Sequence, residues 1–195
     1  MKTTEKKQIK RRKEIIEAMM PILETTSLDE LGVKDICTAI GISIGSFYHY
    51  FNRKEDIGIA IQIKTDEYLE RSVFPNMTSF NEIENLRIYG MGITRYIAEM
   101  GAKKARLLVA NSKPTDRDLD GNLRREVEKL TQTVRMGQEK GQIICGYPPE
   151  ELAEFVHTAI QGVGIEWTRD DGTYSLLEKM ERFLDVFLRC LEKRS

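Results

Sequence analysis

VKDICTAIGISIGSFYHYFNRK, residues 33–54, is the stretch on which the reading of the whole chain turns. Ile36 and Ile40 are four apart and share one helical face, so a first short helix buries that face. Cys37 is small and suits a close approach of two helices. Gly41 accepts positive φ at no steric cost and ends this helix. Ile42 fills the corner, and Ser43 is a good N-cap for a second helix in which Phe47 and Tyr50 point inward. Two short helices crossing steeply about a glycine make a helix-turn-helix. The outward residues of the second helix, Ile44, Gly45, Ser46, Tyr48 and His49, carry hydroxyls and aromatic tips and no acid, which suits a reader of the major groove. Asn52 with Glu55 three residues on predicts the start of a third helix. Its N–H groups, beside Lys54, offer a seat for a DNA phosphate.

Charge is distributed to match. The 195 residues sum to a net charge of −1, with 41% hydrophobic and 31% charged residues, as in an ordinary globular protein. Residues 1–54 hold ten Lys/Arg against seven Asp/Glu, while the remaining 141 hold twenty against twenty-four. Lys2, Lys6, Lys7, Lys10, Arg11, Arg12 and Lys13 face only Glu5 in the first 13 residues. Such an arm is an electrostatic footprint for a phosphate backbone, although a solvated N-terminus would look the same. No apolar run approaches the roughly 18 residues of a membrane span, and no signal-peptide core opens the chain, so a cytoplasmic protein is expected. Cys37, Cys145 and Cys190 form no C-x-x-C pair, which speaks against a zinc site or a disulfide framework.

Outward from the helix-turn-helix the pattern is helical throughout, with no alternating run to predict a sheet. A first helix is expected from about Lys7 to Thr25, with Ile15, Ile16, Met19, Ile22 and Leu23 inward and a bend or early end near Met20, because Pro21 cannot bond the carbonyl of Glu17. Leu28 and Leu31 tuck into the small core. A helix over 53–74 carries Ile57, Ile61, Tyr68 and Leu69 on one side, with Gly58 permitting close packing, and ends near Pro75. Leu86, Tyr89, Ile93, Ile97 and Met100 form the next stripe. Gly90, Gly92 and Gly101 make room there for a neighbouring helix or for a bound molecule. Residues 113–121 read as a loop or a broken helix start. A helix from about Leu123 to Lys140 presents Val127, Leu130, Val134 and Gln138 and stops at Gly141. Pro148 and Pro149 before Glu150 and Glu151 open another.

The last two helices, 150–168 and 173–192, carry unusually wide apolar stripes. Leu152, Phe155, Val156, Ala159, Ile160, Val163 and Trp167 recur at three and four, as do Leu176, Leu177, Met180, Phe183, Leu184, Phe187, Leu188 and Leu191. Stripes of this width serve one neighbour inside the subunit and one outside, closing a four-helix interface in a homodimer, although a core lying wholly inside the subunit would show the same stripes. Gly162 and Gly164 would let those helices approach.

An enzyme reading finds no site. His49 lies on the reading helix, and His157 has no metal-spaced partner and reads as a packing residue. There is no Gly-rich phosphate loop, no G-x-S-x-G and no complete calcium loop around D-R-D-L-D-G at 116–121. No cofactor or metal is expected. An interaction module that had lost DNA binding would carry acids on the reading face, and this one has none.

The stretch resembles the TetR-type transcriptional regulators, whose N-terminal pattern it matches at Val33, Asp35, Ile36, Gly41, Ile42, Ser43, Gly45, Ser46, Phe47, Tyr48, Tyr50, Phe51 and Lys54. It departs where Cys37 replaces Ala, Ser27 replaces Gly, and Gly32 replaces a capping Thr or Ser. The R-M-G-Q-E-K-G-Q-I segment is also similar to a G-x-x-x-G element of the family. The resemblance implies an all-α fold with a helix-turn-helix DNA-binding domain at 1–54, a linking helix at 53–74 acting as a lever, and a ligand-binding and dimerisation bundle at 75–195. It implies a homodimeric repressor of double-stranded DNA that leaves a near-palindromic operator when a small-molecule effector binds; an activator fits the same residues. Lys34, Ser43, Ile44, Gly45 and Ser46 are then the candidates for base contacts, and Tyr48, His49 and Lys54 for phosphates. Tyr89, Ile93, Tyr96, Met100, Met136 and Trp167 are the candidate effector lining, because aromatics and Met make adaptable apolar walls.

Overall fold

A computed structural model describes residues 3–26, 28–56, 64–110 and 122–193. Its contacts divide the chain into two units, Met1–Ile63 with Lys103–Lys113 and Lys64–Ala102 with Pro114–Ser195. The expected positions Lys2, Ser27, Ile57, Gly58 and Ile61 and the loop at 113–121 lie outside the described residues.

In the first unit α1 spans Thr3–Met19, starting four residues before the expected Lys7, and α2 spans Ile22–Thr25. The break falls at Met20 and Pro21. The Glu17 carbonyl that proline cannot serve accepts instead from Met20 N–H at 3.3 Å. A single 3₁₀ turn, Leu28–Glu30, leads to α3 (Val33–Ile40) and α4 (Ile44–Tyr50). Gly41 ends α3 at φ +70°, and Ile42 N–H reaches back to the Cys37 carbonyl at 3.0 Å. Gly32 stands where a hydroxyl cap is usual, and the cap comes from the other direction. Asp35 Oδ2 accepts the Gly32 N–H at 3.0 Å, and a Cβ on residue 32 would lie 3.0 Å from that same oxygen. Ile15, Ile16, Met19, Leu23, Leu28, Ile36, Cys37, Phe47 and Phe51 form the core of this unit.

One inward residue is corrected here. Tyr50 was expected inside but is half-buried, whereas Phe51 is fully buried. The reason is the end of α4: Phe51 is extended (φ −132°, ψ 134°), which turns its ring onto Phe47 with centroids 5.1 Å apart. The Arg12 guanidinium lies over the Phe51 ring, 5.3 Å from its centroid. A further helix, α7 (Ala102–Ala110), was not anticipated. Its Lys103 ammonium donates to the Thr25 carbonyl at 2.9 Å.

In the second unit, residues 64–68 are helical and continue as a π turn, Leu69–Val73; together these are α5, closed by a 3₁₀ turn, Phe74–Asn76, around Pro75. Then come α6 (Glu82–Met100), α8 (Asn122–Glu139), α9 (Pro149–Arg169) and α10 (Leu176–Leu191). α6 packs against α8, α9 and α10, and α9 packs against α8 and α10. The apolar cluster includes Leu69, Val73, Leu86, Tyr89, Ile93, Leu130, Val134, Val156, Ile160, Met180, Leu184 and Leu188. Of the two explanations for the α6 glycines, the neighbouring chain accounts for both inner ones. A Cβ at Gly90 would sit 3.0 Å from Leu184 Cδ1, and one at Gly92 would sit 2.7 Å from Val73 Cγ2. Among the described residues the only extended pairing is an isolated bridge between Ile143 and Glu192.

Candidate nucleic-acid interface

Ser43 caps α4 as its position predicts, its Oγ accepting from Ser46 N–H at 3.0 Å. The same hydroxyl donates to Ser46 Oγ at 3.1 Å, which leaves the Ser46 proton available to an outside acceptor. Phe47, on the inner side of the helix, is completely buried. The opposite side is open: Ile44 is 46% and Tyr48 53% exposed, and Lys34, Ser43, Gly45, Ser46 and His49 are exposed as well. Among the described residues a Cβ at Gly45 would find only Ser43 Oγ, at 3.9 Å, so none of them requires glycine there. Tyr48 packs edge-on to Phe47 at 5.6 Å between centroids, and His49 edge-on to Tyr50 at 4.8 Å. These contacts hold both rings while leaving the phenol and imidazole edges outward.

Lys54 and the chain beside it differ from the expectation. A single 3₁₀ turn, Lys54–Asp56, follows α4. The half-buried Lys54 ammonium donates to the carbonyls of Leu28 at 2.8 Å and Leu31 at 3.0 Å. The N–H groups of Asn52 and Arg53, expected to await a phosphate, are taken by Asp56 Oδ2 at 2.8 and 3.3 Å. An internal carboxylate already occupies that seat, held at the right distance by the chain itself.

Inside the second unit, the six candidate lining residues do not form one wall. Tyr89, Ile93, Tyr96 and Met100 follow one another along α6. Tyr89 is buried and its hydroxyl donates to Glu126 Oε1. Burial, and then the charge of Glu126, push the Tyr89 phenol well above its ordinary value, so it stays a neutral donor. Tyr96 stacks on Tyr68, centroids 4.4 Å apart, and burial raises it too. Trp167 is buried, but its indole N–H donates to the Tyr174 carbonyl at 2.9 Å, tying it to the α9–α10 turn. Met136 is corrected: it is 39% exposed, because Leu130 and Val134 set the inner face of α8 and position 136 falls on the other side.

Two residues were missed. Glu126 is buried four residues before Leu130, so the inner stripe of α8 runs 126, 130, 134 and its first member is an acid. His157 Nε2 lies 3.7 Å from Glu126 Oε2 and 3.1 Å from Gln161 Nε2. Tyr89, Glu126 and His157 thus make a polar seam through α6, α8 and α9. The spacing from Leu130 could have placed Glu126 inside; nothing in the sequence pairs it with His157. Among the described residues no group of three His, Cys, Asp or Glu side chains could hold a metal ion, and no helix is long and apolar enough to cross a membrane.

With α3 before it and Gly41 between, the capped, open-faced α4 makes a helix-turn-helix of the kind that enters a DNA groove. Residues 15–61 match the profile of the bacterial regulatory proteins, tetR family, and this stretch of the chain is similar to the DNA-binding part of those regulators. The chain is 28% identical over 150 residues to the transcriptional regulator AcuR of Cereibacter sphaeroides, covering 72% of this chain and 68% of that one. In fold it is similar to the transcriptional regulator FadR from Bacillus subtilis, solved in complex with stearoyl-CoA, with a TM-score of 0.72 at 19% identity over 89% of this chain and 96% of that one. It is also similar to a TetR-family regulator from Pectobacterium atrosepticum, with a TM-score of 0.74 at 15% identity over 100% and 99% of the two chains. These relatives are regulators and not enzymes.

Proposed function

We propose that the protein is a homodimeric repressor, joined through α9 and α10, that leaves a near-palindromic operator when a small molecule enters the bundle. Residues 1–54 read DNA, 75–195 sense and pair, and 53–74 transmit between them. The observation that carries the pairing is the outer face of α9 and α10. Phe155 is 50% and Val186 69% exposed, and Phe183, Val186, Phe187 and Cys190 follow one another at the spacing of a single helical stripe. Phe183 and Phe187 already stack at 5.2 Å. Alongside them Gly162 is exposed, and a Cβ there would meet nothing within 4 Å. A mid-helix glycine costs about 1 kcal/mol relative to alanine, and no neighbour among the described residues accounts for it. A partner helix crossing at Gly162 does.

In such a dimer the two copies of α4 enter successive major grooves, about 34 to 36 Å apart. Ser43, Ile44, Gly45 and Ser46, with Lys34, meet base edges, while Tyr48 and His49 hold phosphates. The effector has an apolar body lying along Ile93, Tyr96 and Met100, with Tyr89 and its seam at the polar end. Switching between 99:1 and 1:99 needs about 5.5 kcal/mol of differential binding, within reach of a drug-sized apolar ligand. Long-chain acyl-CoA is the first probe, given the ligand of the Bacillus subtilis relative.

Selection of bound duplexes from a random pool tests this reading. The expected product is a pair of inverted half-sites, and placing it over a promoter lowers reporter expression until effector is added. Recovery of unrelated sequences would overturn the reading; raised expression would make the protein an activator.

A further inference from the structure

We infer that Lys54 and Asp56 determine operator selectivity from inside the protein, as positioning residues that fix the tilt of α4, and that neither holds a DNA phosphate. The inference rests on the reading above that α4 enters the groove. Lys54 lies four residues beyond the end of α4, yet its ammonium bonds the carbonyls of Leu28 and Leu31, which close the turn just before α3. The entrance and the exit of the helix-turn-helix are therefore joined by one side chain. Asp56 completes the clamp. It is buried, and it gathers the backbone N–H groups of Asn52 and Arg53 on Oδ2 and the Arg53 Nε–H on Oδ1 at 3.3 Å. The chain leaving α4 thus has its direction set by five directional bonds. The apolar contacts of Ile36, Phe47 and Phe51 seal the corner but set no direction as sharply, since hydrophobic burial is non-directional.

Two consequences separate this role from phosphate binding. A lysine whose donors are turned to carbonyls contributes little to counterion release, so its loss leaves the salt dependence of binding intact. A carboxylate in the would-be phosphate seat repels DNA, so its neutralisation strengthens binding to any sequence. In both cases a looser exit lets α4 tilt, and the Ile44 and Ser46 side chains lose their register with base edges. Selectivity falls, which a general loss of backbone contacts would not produce.

The test uses the full-length protein, the duplex enriched by the wild type, and a scrambled duplex of equal length, titrated across a salt series. Lys54→Met is expected to lose roughly tenfold in affinity for the enriched duplex, the scale of one wrong base pair, with the scrambled duplex and both salt slopes unchanged. Asp56→Asn is expected to lose selectivity while binding the scrambled duplex more tightly. A fall of about 0.9 in salt slope per lost contact, with both duplexes weakened together, would overturn the inference and restore a phosphate role. If Lys54→Met melts below the assay temperature, Lys54→Arg decides, because it keeps the charge and replaces the compact ammonium by a planar fork. Lost selectivity at unchanged slope supports the clamp, and wild-type selectivity overturns it. A wild type that selects no duplex overturns both this inference and the reading of α4; a wild type that selects, with variants that select equally well, overturns the clamp alone.

Discussion

The reading unit and the bundle hold their helices by different means. In the first, corners are tied by directional bonds: Ser43 on Ser46, Asp35 on Gly32, Lys54 on Leu28 and Leu31, Lys103 on Thr25. In the second, helices are held by area and fit, with Leu184 and Ile160 against Gly90 and Val73 against Gly92. Directional bonds fix angles, which a protein that must present a short helix to base edges needs. Packed faces can slide by small amounts without losing their contacts, which suits the sensing role proposed for this unit. The packed unit has directional ties as well, among them the Tyr89–Glu126–His157 seam, Lys140 on Glu82 at 2.7 Å and Arg87 on Asp185 at 2.8 Å, and these join helices whose main contact is apolar.

Four substitutions test that contrast, and the largest effect belongs to packing. Leu184→Ala removes a fully buried side chain lying against α6, and is expected to cost about 2 to 5 kcal/mol in chemical unfolding. If it costs no more than a capping substitution, the bundle is not held by fit. Tyr89→Phe leaves the buried Glu126 carboxylate without the phenol proton, for an expected loss of about 1 to 3 kcal/mol. The fold raises the Tyr89 phenol above its ordinary value, so its share of stability is full below about pH 10 and is lost as pH climbs through the folded value. Thermal melts of Tyr89→Phe should therefore show a shallower alkaline decline than the wild type; an identical decline would remove Tyr89 from the seam. Ser43→Ala should cost about 1 kcal/mol by loss of the α4 cap, read as a small drop in melting temperature with a larger drop in operator binding. Gly162→Ala has the smallest effect and the opposite sign, stabilising the separated subunit by up to about 1 kcal/mol while weakening self-association. An alanine variant that pairs as tightly as the wild type would place the partner elsewhere.

Much of this was legible in the sequence, and the failures share a cause. Gly41, Ser43 and Phe47 act through their own backbone positions, so local rules locate the helix-turn-helix from them; Pro21 marks the break between α1 and α2 for the same reason. Side chains that choose among several acceptors are harder. Lys54 near a helix start carries the same local signal whether it meets a phosphate or a carbonyl 26 residues upstream. Asp56 was the overlooked competitor: a carboxylate four residues along the same chain reaches Asn52 N–H without the entropy of bringing in a separate ion. Glu126 was overlooked because the α8 stripe was read from Val127, Leu130, Val134 and Gln138, whereas the buried stripe includes an acid; Met136 was chosen for its side-chain chemistry and not for its place on that stripe. Tyr50 is less buried than expected because the chain turns extended at Phe51, and the Phe51 ring takes the place against Phe47. α7 was passed over between Gly101 and Pro114, although its A-K-K-A-R-L-L-V-A run consists mostly of good helix formers.

The central claim is that two copies meet through the outer faces of α9 and α10 and thereby set the two reading helices on one duplex. Sedimentation of the wild type and of Val186→Glu, at micromolar protein with and without the selected duplex, tests it most directly. The account predicts a wild-type dimer that places two protomers on each duplex, and a folded Val186→Glu monomer that no longer binds the duplex selectively. A Val186→Glu protein that stays dimeric and binds as the wild type does would contradict it.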